Sequence, residues 1–299
     1  MIVVYGSINI DLIGHAPTLM RPGETVLGST LEFAPGGKGA NQALAAARAG
    51  AEVKMVGCVG DDEFTGRALE LLREAEIDLS SVRRMDRHTG VAMIVVDDTG
   101  ENMITVLPGA NGRLSAAALD QAGISAEDTL LLQLETPLEG VAAAAAAARA
   151  AGAKVVLNLA PYRDFPAAML EDVSVLVVNE GEMAGLLEKL SAPAMTPEKA
   201  VAWLAGELDL IVVATLGGKG AIACEAGEIV KVPALKIKPV DTVGAGDTFV
   251  GYLAAGLAEG KALKSALELA ATAAGLACLK PGAQPAIPTR DVVDEKRAG

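Results

Sequence analysis

Short apolar runs recur along the 299-residue chain, each followed by polar or glycine residues and then by a longer stretch of helical character. Residues 2–6, 53–60, 129–133, 154–158, 173–178 and 209–214 are nearly continuous in apolar side chains, as strands buried on both faces must be. Between them lie helical patterns. An Ala-rich stretch follows Lys38 and stops at Ala49-Gly50, residues 62–74 carry Phe64, Leu69, Leu71 and Leu72 on one side, and a short helix falls near 115–122. Further helices are expected after Pro137, through Phe249, Leu253 and Leu257, ahead of a Pro-rich loop at 280–288, and over 289–297. Strands alternating with helices predict a parallel α/β sheet. One segment breaks the alternation. Runs 91–96 and 103–107 are β-prone and joined by Asp97-Asp98-Thr99-Gly100-Glu101-Asn102, which predicts a hairpin. Together with the segment around 12–33 it predicts a small sheet projecting from the main body as a lid or a subunit contact.

Polar and glycine residues gather where the parallel strands end: Gln133-Leu134-Glu135, Asn158, Asn179-Glu180-Gly181-Glu182 and Thr215-Leu216-Gly217-Gly218-Lys219-Gly220. Ligands of open α/β sheets bind at that edge. The stretch Asp241-Thr242-Val243-Gly244-Ala245-Gly246-Asp247-Thr248-Phe249 places three small residues at the start of a helix, after an extended apolar run. Unpaired amides and the helix dipole there suit phosphate oxygens. Asp247, one residue beyond, reads either as a first-turn acid stabilised by the dipole or as the acceptor of a proton from an attacking hydroxyl. Near the N-terminus, extended geometry puts Asn9 and Asp11 on one side of the chain, either as a pair for vicinal hydroxyls or as solvated groups at a strand end. Gly36-Gly37-Lys38-Gly39-Ala40-Asn41-Gln42 opens a helix but completes neither a Walker A loop nor G-x-G-x-x-G. A P-loop NTPase and a dinucleotide-binding dehydrogenase are both disfavoured.

The formal net charge of −13 argues against nucleic acid or an anionic membrane as partner, since both need a positive footprint. A bound polyanion then has to be met by backbone amides, metal ions and a few lysines. Cys58, Cys224 and Cys278 are scattered in apolar contexts without C-x-x-C spacing, so free thiols in a reducing cytoplasm are expected. With only His15 and His88, histidine triads and His-rich metal sites are nearly excluded. No leader and no membrane span is expected.

Taken in order, Gly6-Ser7-Ile8-Asn9-Ile10-Asp11, Gly36 through Ala43, Thr89-Gly90-Val91-Ala92, Gly109-Ala110-Asn111, Gln133-Leu134-Glu135, Asn179 through Glu182, Thr215 through Gly220, Asp241 through Phe249 and Lys280 through Pro288 resemble the PfkB carbohydrate kinase family over almost the whole chain, within it the ribokinase group. The resemblance implies a single ribokinase-like domain over 1–299, a three-layer α/β/α sandwich with a mainly parallel central sheet and a small projecting β-sheet lid from about 10–35 and 88–110. It implies an ATP-dependent kinase acting on the 5-hydroxyl of D-ribose, with Asp247 as base and Gly244, Ala245 and Gly246 as anion hole. Asn9, Asp11, Gly37, Lys38, Asn41 and Glu135 would hold the sugar, while Thr215, Gly217, Lys219 and Gly220 would line the ATP side with Gly246. Asn179 and Glu182 would serve the phosphates and Mg²⁺, Glu182 through water. Asp241, Val243, Ala277, Lys280, Gly282 and the position of Ala286 would hold an activating K⁺, and a homodimer through the lid sheet is implied. Two positions depart from the family pattern: Ala286 stands where many members have Ser, and Ala271 replaces a polar residue near the adenine. A kinase for another sugar or a nucleoside, and a non-catalytic sugar or nucleotide sensor, are the competing readings.

Overall fold

A computed structural model describes residues 1–298, the side chains of residues 120 and 121 excepted. The chain begins β1 (Ile2–Tyr5), β2 (Asn9–Ala16), β3 (Thr30–Gly36), α1 (Lys38–Arg48), β4 (Val53–Gly60), α2 (Phe64–Ala68), α3 (Glu70–Glu74), β5 (Asp78–Met85), β6 (Gly90–Asp97) and β7 (Asn102–Leu107). It continues α4 (Ala117–Ala122), β8 (Thr129–Leu132), α5 (Leu138–Ala150), β9 (Lys154–Asn158), β10 (Val175–Asn179), α6 (Glu180–Lys189), α7 (Pro197–Leu208), β11 (Ile211–Thr215), β12 (Ala221–Glu225), β13 (Glu228–Val232), α8 (Ala245–Ala258), α9 (Leu263–Ala277) and α10 (Arg290–Ala298). Nine strands form the central sheet in the order β13-β12-β11-β10-β9-β8-β1-β4-β5, parallel except where β12 and β13 turn antiparallel at one edge. From β1 the chain builds outward through β4 and β5, then returns to β8 on the other side of β1. The strand order therefore reverses between β1 and β8, and a crevice opens at their carboxyl ends.

Alternation along each strand divides the core into two layers. Ile2, Val4, Leu131, Val156, Val175 and Val177 face α1, α8 and α9, whereas Val3, Tyr5, Leu130, Leu132, Val155, Leu157 and Leu176 face the layer of α4, α5, α6 and α7. The small sheet runs β3-β2-β6-β7, with β2 and β6 parallel and both flanking pairs antiparallel. The hairpin and its partner segment thus pair as the residue pattern leads one to expect.

Three elements depart from the expectation. β5 alternates exposed and half-buried residues, among them Ser80, Arg83 and Arg84, because it is an edge strand; it lacks the continuous apolar run that marks the inner strands. The run ahead of Gly244 is not extended up to the helix: β12 and β13 form a hairpin turning at Ala226-Gly227, and residues 233–244 are irregular. The helix expected over 62–74 divides at Leu69 into α2 and α3.

Close contact between α1 and α8 depends on small residues. A methyl group on Gly251 would sit 2.5 Å from the Ala45 Cβ and 2.6 Å from the carbonyl oxygen of Gln42, so α8 seats against the first turns of α1 only with glycine there. Gly251→Ala is expected to lower unfolding stability by about 1–3 kcal/mol, the usual effect of overpacking a dense core, measured by chemical denaturation.

Candidate functional site

The crevice between β1 and β8 is closed at its base by one carboxylate. Glu135 Oε2 accepts from Ser7 Oγ at 2.6 Å and from the Lys38 amide at 3.0 Å, while the Gly39 amide donates to Ser7 Oγ at 3.2 Å. The segments after β1, before α1 and after β8 are thereby fastened together. Asn9 begins β2 and is buried, and its Oδ1 accepts from Asn111 Nδ2 at 2.8 Å. Asn111 is itself fixed by the Ile8 amide at 3.0 Å. Asp11 follows two residues later in the same strand, so Asn9 and Asp11 do share a face.

Asp11 is pushed up to about 7, first by burial and then by the like charges of Glu135 and Asp247, with Lys38 opposing. The Lys38 ammonium is held above the ordinary lysine range, chiefly by Asp247, against burial and with help from Glu135, Glu182 and Asp11. One cation thus stands among four carboxylates.

Asp247 lies in the first turn of α8 and is buried. Its Oδ2 accepts from Asn41 Nδ2 and its Oδ1 from Gln42 Nε2, both at 2.9 Å. Gly244 caps the helix at φ +74°, a conformation that favours glycine, and a methyl group there would strike the Cα of Ala283 at 2.8 Å. Among the described residues no acceptor serves the amides of Gly244, Gly246 or Asp247. The Ala245 amide differs. It closes a turn onto the Thr242 carbonyl at 3.3 Å, so the free amides are those of 244, 246 and 247 rather than 244 to 246.

Two clefts meet beside these amides, sharing Gly246 and Thr215. The larger, about 450 Å³, has Gly217, Gly220, Leu235, Phe249, Ala271 and Gly275 in its walls. The smaller, about 140 Å³, includes Lys38, Asn158, Asn179, Glu182, Gly244 and Asp247. Asn179 and Glu182 form a reciprocal cap on α6: Glu182 Oε2 accepts from the Asn179 amide at 2.7 Å, and Asn179 Oδ1 accepts from the Glu182 amide at 2.8 Å. The cap leaves one carboxylate oxygen and one amide NH₂ for other partners. Burial raises the affinity of Glu182 for its proton, and the Asn179 amide and Lys38 oppose it. Lys219 does not join the cleft; its exposed ammonium stands 3.6 Å from Glu180 Oε1.

Asp241 ties two loops together. Its Oδ1 accepts from the Val243 amide at 2.9 Å and its Oδ2 from the Gly282 amide at 2.8 Å. Both oxygens keep a lone pair, and the carbonyls of Val243, Lys280 and Gly282 lie on the two joined loops, so the donor set is all oxygen and fits a hard monovalent cation. The Ala277 carbonyl already accepts from the Lys280 amide at 3.3 Å, and Ala286 is buried with an apolar side chain. Among the described residues no cluster of three His, Cys, Asp or Glu side chains is placed to hold a metal.

Some participants are not among the residues that the sequence marked. Gln42 stands in the sequence only within the Gly36 to Ala43 motif, without a role of its own, and Asn158 only as a polar strand end, yet both reach Asp247 or its partner. Lys236 and its neighbours in the irregular segment 233–244 wall the larger cleft without any motif.

The Asp11 environment has a measurable consequence. A carboxyl group with a raised native pKa favours folding most below its unfolded value near 3.8, and that contribution is lost as pH rises through about 7. Asp11→Asn is expected to gain thermal stability over the parent progressively from about pH 4 to 7 and to hold that gain above; melting curves across this range check it.

The pfkB family carbohydrate kinase model matches residues 1–290. A ribokinase of Schizosaccharomyces pombe is 40% identical, over 98% of this chain and 96% of that one. Ribokinase from Thermotoga maritima superposes with a TM-score of 0.93 at 34% identity, covering 100% of this chain and 99% of that one. Arabidopsis thaliana ribokinase, solved in complex with ribose and ATP, superposes with a TM-score of 0.87 at 31% identity, covering 98% and 97%. With a family match over nearly its entire length and a ribokinase-like arrangement of both sheets, the chain belongs to the pfkB family of carbohydrate kinases.

Proposed function

We propose that the protein is an ATP-dependent ribokinase that transfers the terminal phosphoryl group to the 5-hydroxyl of D-ribose. The observation that carries the reading is Asp247, held by two side-chain amides directly beside the unpaired backbone amides of Gly244, Gly246 and Asp247, in the wall of the small cleft that adjoins the larger one. Ribokinases at 31% to 40% identity over nearly the full chain support the choice of sugar, one of them solved with ribose and ATP.

In this reading Asn9, Asp11, Gly37, Lys38, Asn41 and Glu135 orient the pentose. Glu135 acts chiefly by fixing the Ser7 hydroxyl and the Lys38 backbone, since its Oε2 is occupied by both. The triphosphate enters through the larger cleft past Thr215, Gly217 and Gly220, its terminal oxygens meeting the three free amides and Lys38. Lys219 lies at the rim near Glu180 and acts on the nucleotide at most through long-range charge. A carboxylate is a weak base toward an alcohol, so Asp247 takes the proton late, and positioning with charge stabilisation supplies most of the acceleration. Mg²⁺, with Glu182 reached through water and Asn179 nearby, would neutralise charge on the phosphates. K⁺ between Asp241, Val243 and the loop of Lys280, Gly282 and Ala286 would support the amides at the start of α8.

A second copy of the chain is the partner in this reading. The small sheet leaves Leu31 at 59% and Met93 at 50% exposure on one face and Ile104 at 54% on the other, apolar surface of the kind that protein partners cover. Among the described residues no helix is long and apolar enough to cross a membrane, and the free cysteines suit a reducing cytoplasm.

ATP turnover over ribose, fructose, adenosine and pseudouridine, with and without potassium, tests the assignment: ribose is expected to dominate, and a higher rate with any other acceptor replaces it. Asp247→Ala is expected to keep its fold and ribose binding while turnover falls by roughly 10² to 10⁴; undiminished turnover refutes the base. Ile104→Lys is expected to shift the protein from dimer to monomer in sedimentation velocity.

A further inference from the structure

Gln42 is fully buried in the first turns of α1 and is absent from the walls of both clefts, yet each of its side-chain polar atoms is engaged. Nε2 donates to Asp247 Oδ1 at 2.9 Å and to Asn158 Oδ1 at 3.0 Å, and Oε1 accepts from Gln133 Nε2 at 2.7 Å. Charge fixes which way this amide faces. A carboxylate only accepts, so the NH₂ end of Gln42 has to meet Asp247 and its oxygen is left for Gln133. Asn158 is fixed likewise, its own NH₂ being turned to the Val177 carbonyl at 3.3 Å.

The arrangement matters because an aspartate carboxylate turns easily about its last torsion, where the energy wells are broad. Asn41 alone holds Oδ2 and leaves that rotation open; Asn41 and Gln42 together hold one oxygen each and fix the plane. Gln133 follows β8 at the switch point of the sheet, so the direction of the carboxylate is set from a fully buried central strand. Gln133 Oε1 is buried without a partner, an arrangement that an apolar side chain would avoid.

We propose that Gln42 is a positioning residue for Asp247, itself aimed by Gln133, so that this chain of primary amides fixes the plane of the proton-accepting carboxylate. The inference rests on Asp247 accepting the proton of the sugar hydroxyl. Gln42 lines neither cleft, so its loss acts on kcat and leaves substrate affinity nearly untouched.

The test uses the full chain with Gln42→Leu and Gln133→Leu, each made in the parent and in the Asp247→Ala background, with melting temperatures and with kcat and KM for ribose and ATP. Gln42→Leu is expected to lower kcat by roughly 10- to 100-fold, the scale of a misplaced reacting group, with both KM values within about threefold and the melting transition retained. Gln133→Leu is expected to give a smaller kcat loss of the same kind. In the Asp247→Ala background neither change is expected to lower kcat further, because residues acting as a unit are non-additive. Unchanged kcat in both single variants overturns the proposal, as does a loss that multiplies onto that of Asp247→Ala or one that falls on KM. If Gln42→Leu does not fold, Gln133→Leu decides on the same readouts. Near-parental turnover in Asp247→Ala would instead remove the underlying assignment of the base, a result distinct from an inert Gln42.

Discussion

The seating of α8 on the first turns of α1 is the contact on which the site depends. Asp247 belongs to one helix and both of its amide donors to the other, so its carboxylate exists as an oriented group only while the two helices touch. Gly251 and Ala45 make that approach possible through the absence of side-chain bulk rather than through any specific bond. Packing density and catalytic geometry are therefore one constraint here. A change that moves the helices apart by a few tenths of an ångström loosens the carboxylate before it exposes any new surface.

The same junction separates two kinds of recognition. Around Asn9, Asp11 and Glu135 the groups are carboxylates and amides, which suit hydroxyls; the charges of Asp247, Glu135, Glu182 and Asp11 all act on the ammonium of Lys38. At the start of α8, side chains give way to unpaired backbone N–H groups, which suit phosphate oxygens. A chain with a net charge of −13 cannot attract a polyanion through its general field, so the local dipole and a few cations have to act at short range. Burying and then crowding the carboxylates costs stability at neutral pH, most plainly at Asp11, a cost that a polyol donating its hydroxyls would partly offset.

What the sequence made legible follows from what each residue does. The inner strands announce themselves because burial on both faces demands continuous apolar runs, and glycines mark the helix starts that face ligands. β5 escaped notice because an edge strand needs no such run, and the β12–β13 hairpin because it merges into a longer apolar stretch. Asp247, Asn41, Glu182 and Asn179 stood out as polar residues at strand or helix ends. Gln42 did not, since it acts through another side chain and no periodicity reports that. The shift of the free amides away from Ala245 depends on the turn made by Thr242, which composition does not encode.

Polar bonds also determine where the small sheet can bend. At its root, Asn111 holds the Ile8 amide, the Ile8 carbonyl and Asn9 Oδ1 at once, while the Thr89 amide and hydroxyl donate to Asp62 at 2.6 and 2.8 Å. Asn9 and Gly90 pair directly above these anchors. Farther out, β3 and β7 carry long exposed stretches with no comparable ties among the described residues to the main body beyond the stacking of Phe33 on Phe64 and the Arg67 guanidinium over the same ring. Asn9 consequently belongs to the tied root of the sheet, and Asp11 follows two residues beyond it in β2. Asn111 fixes the Asn9 side chain, whereas the outer half of the sheet is the part least supported by buried contacts.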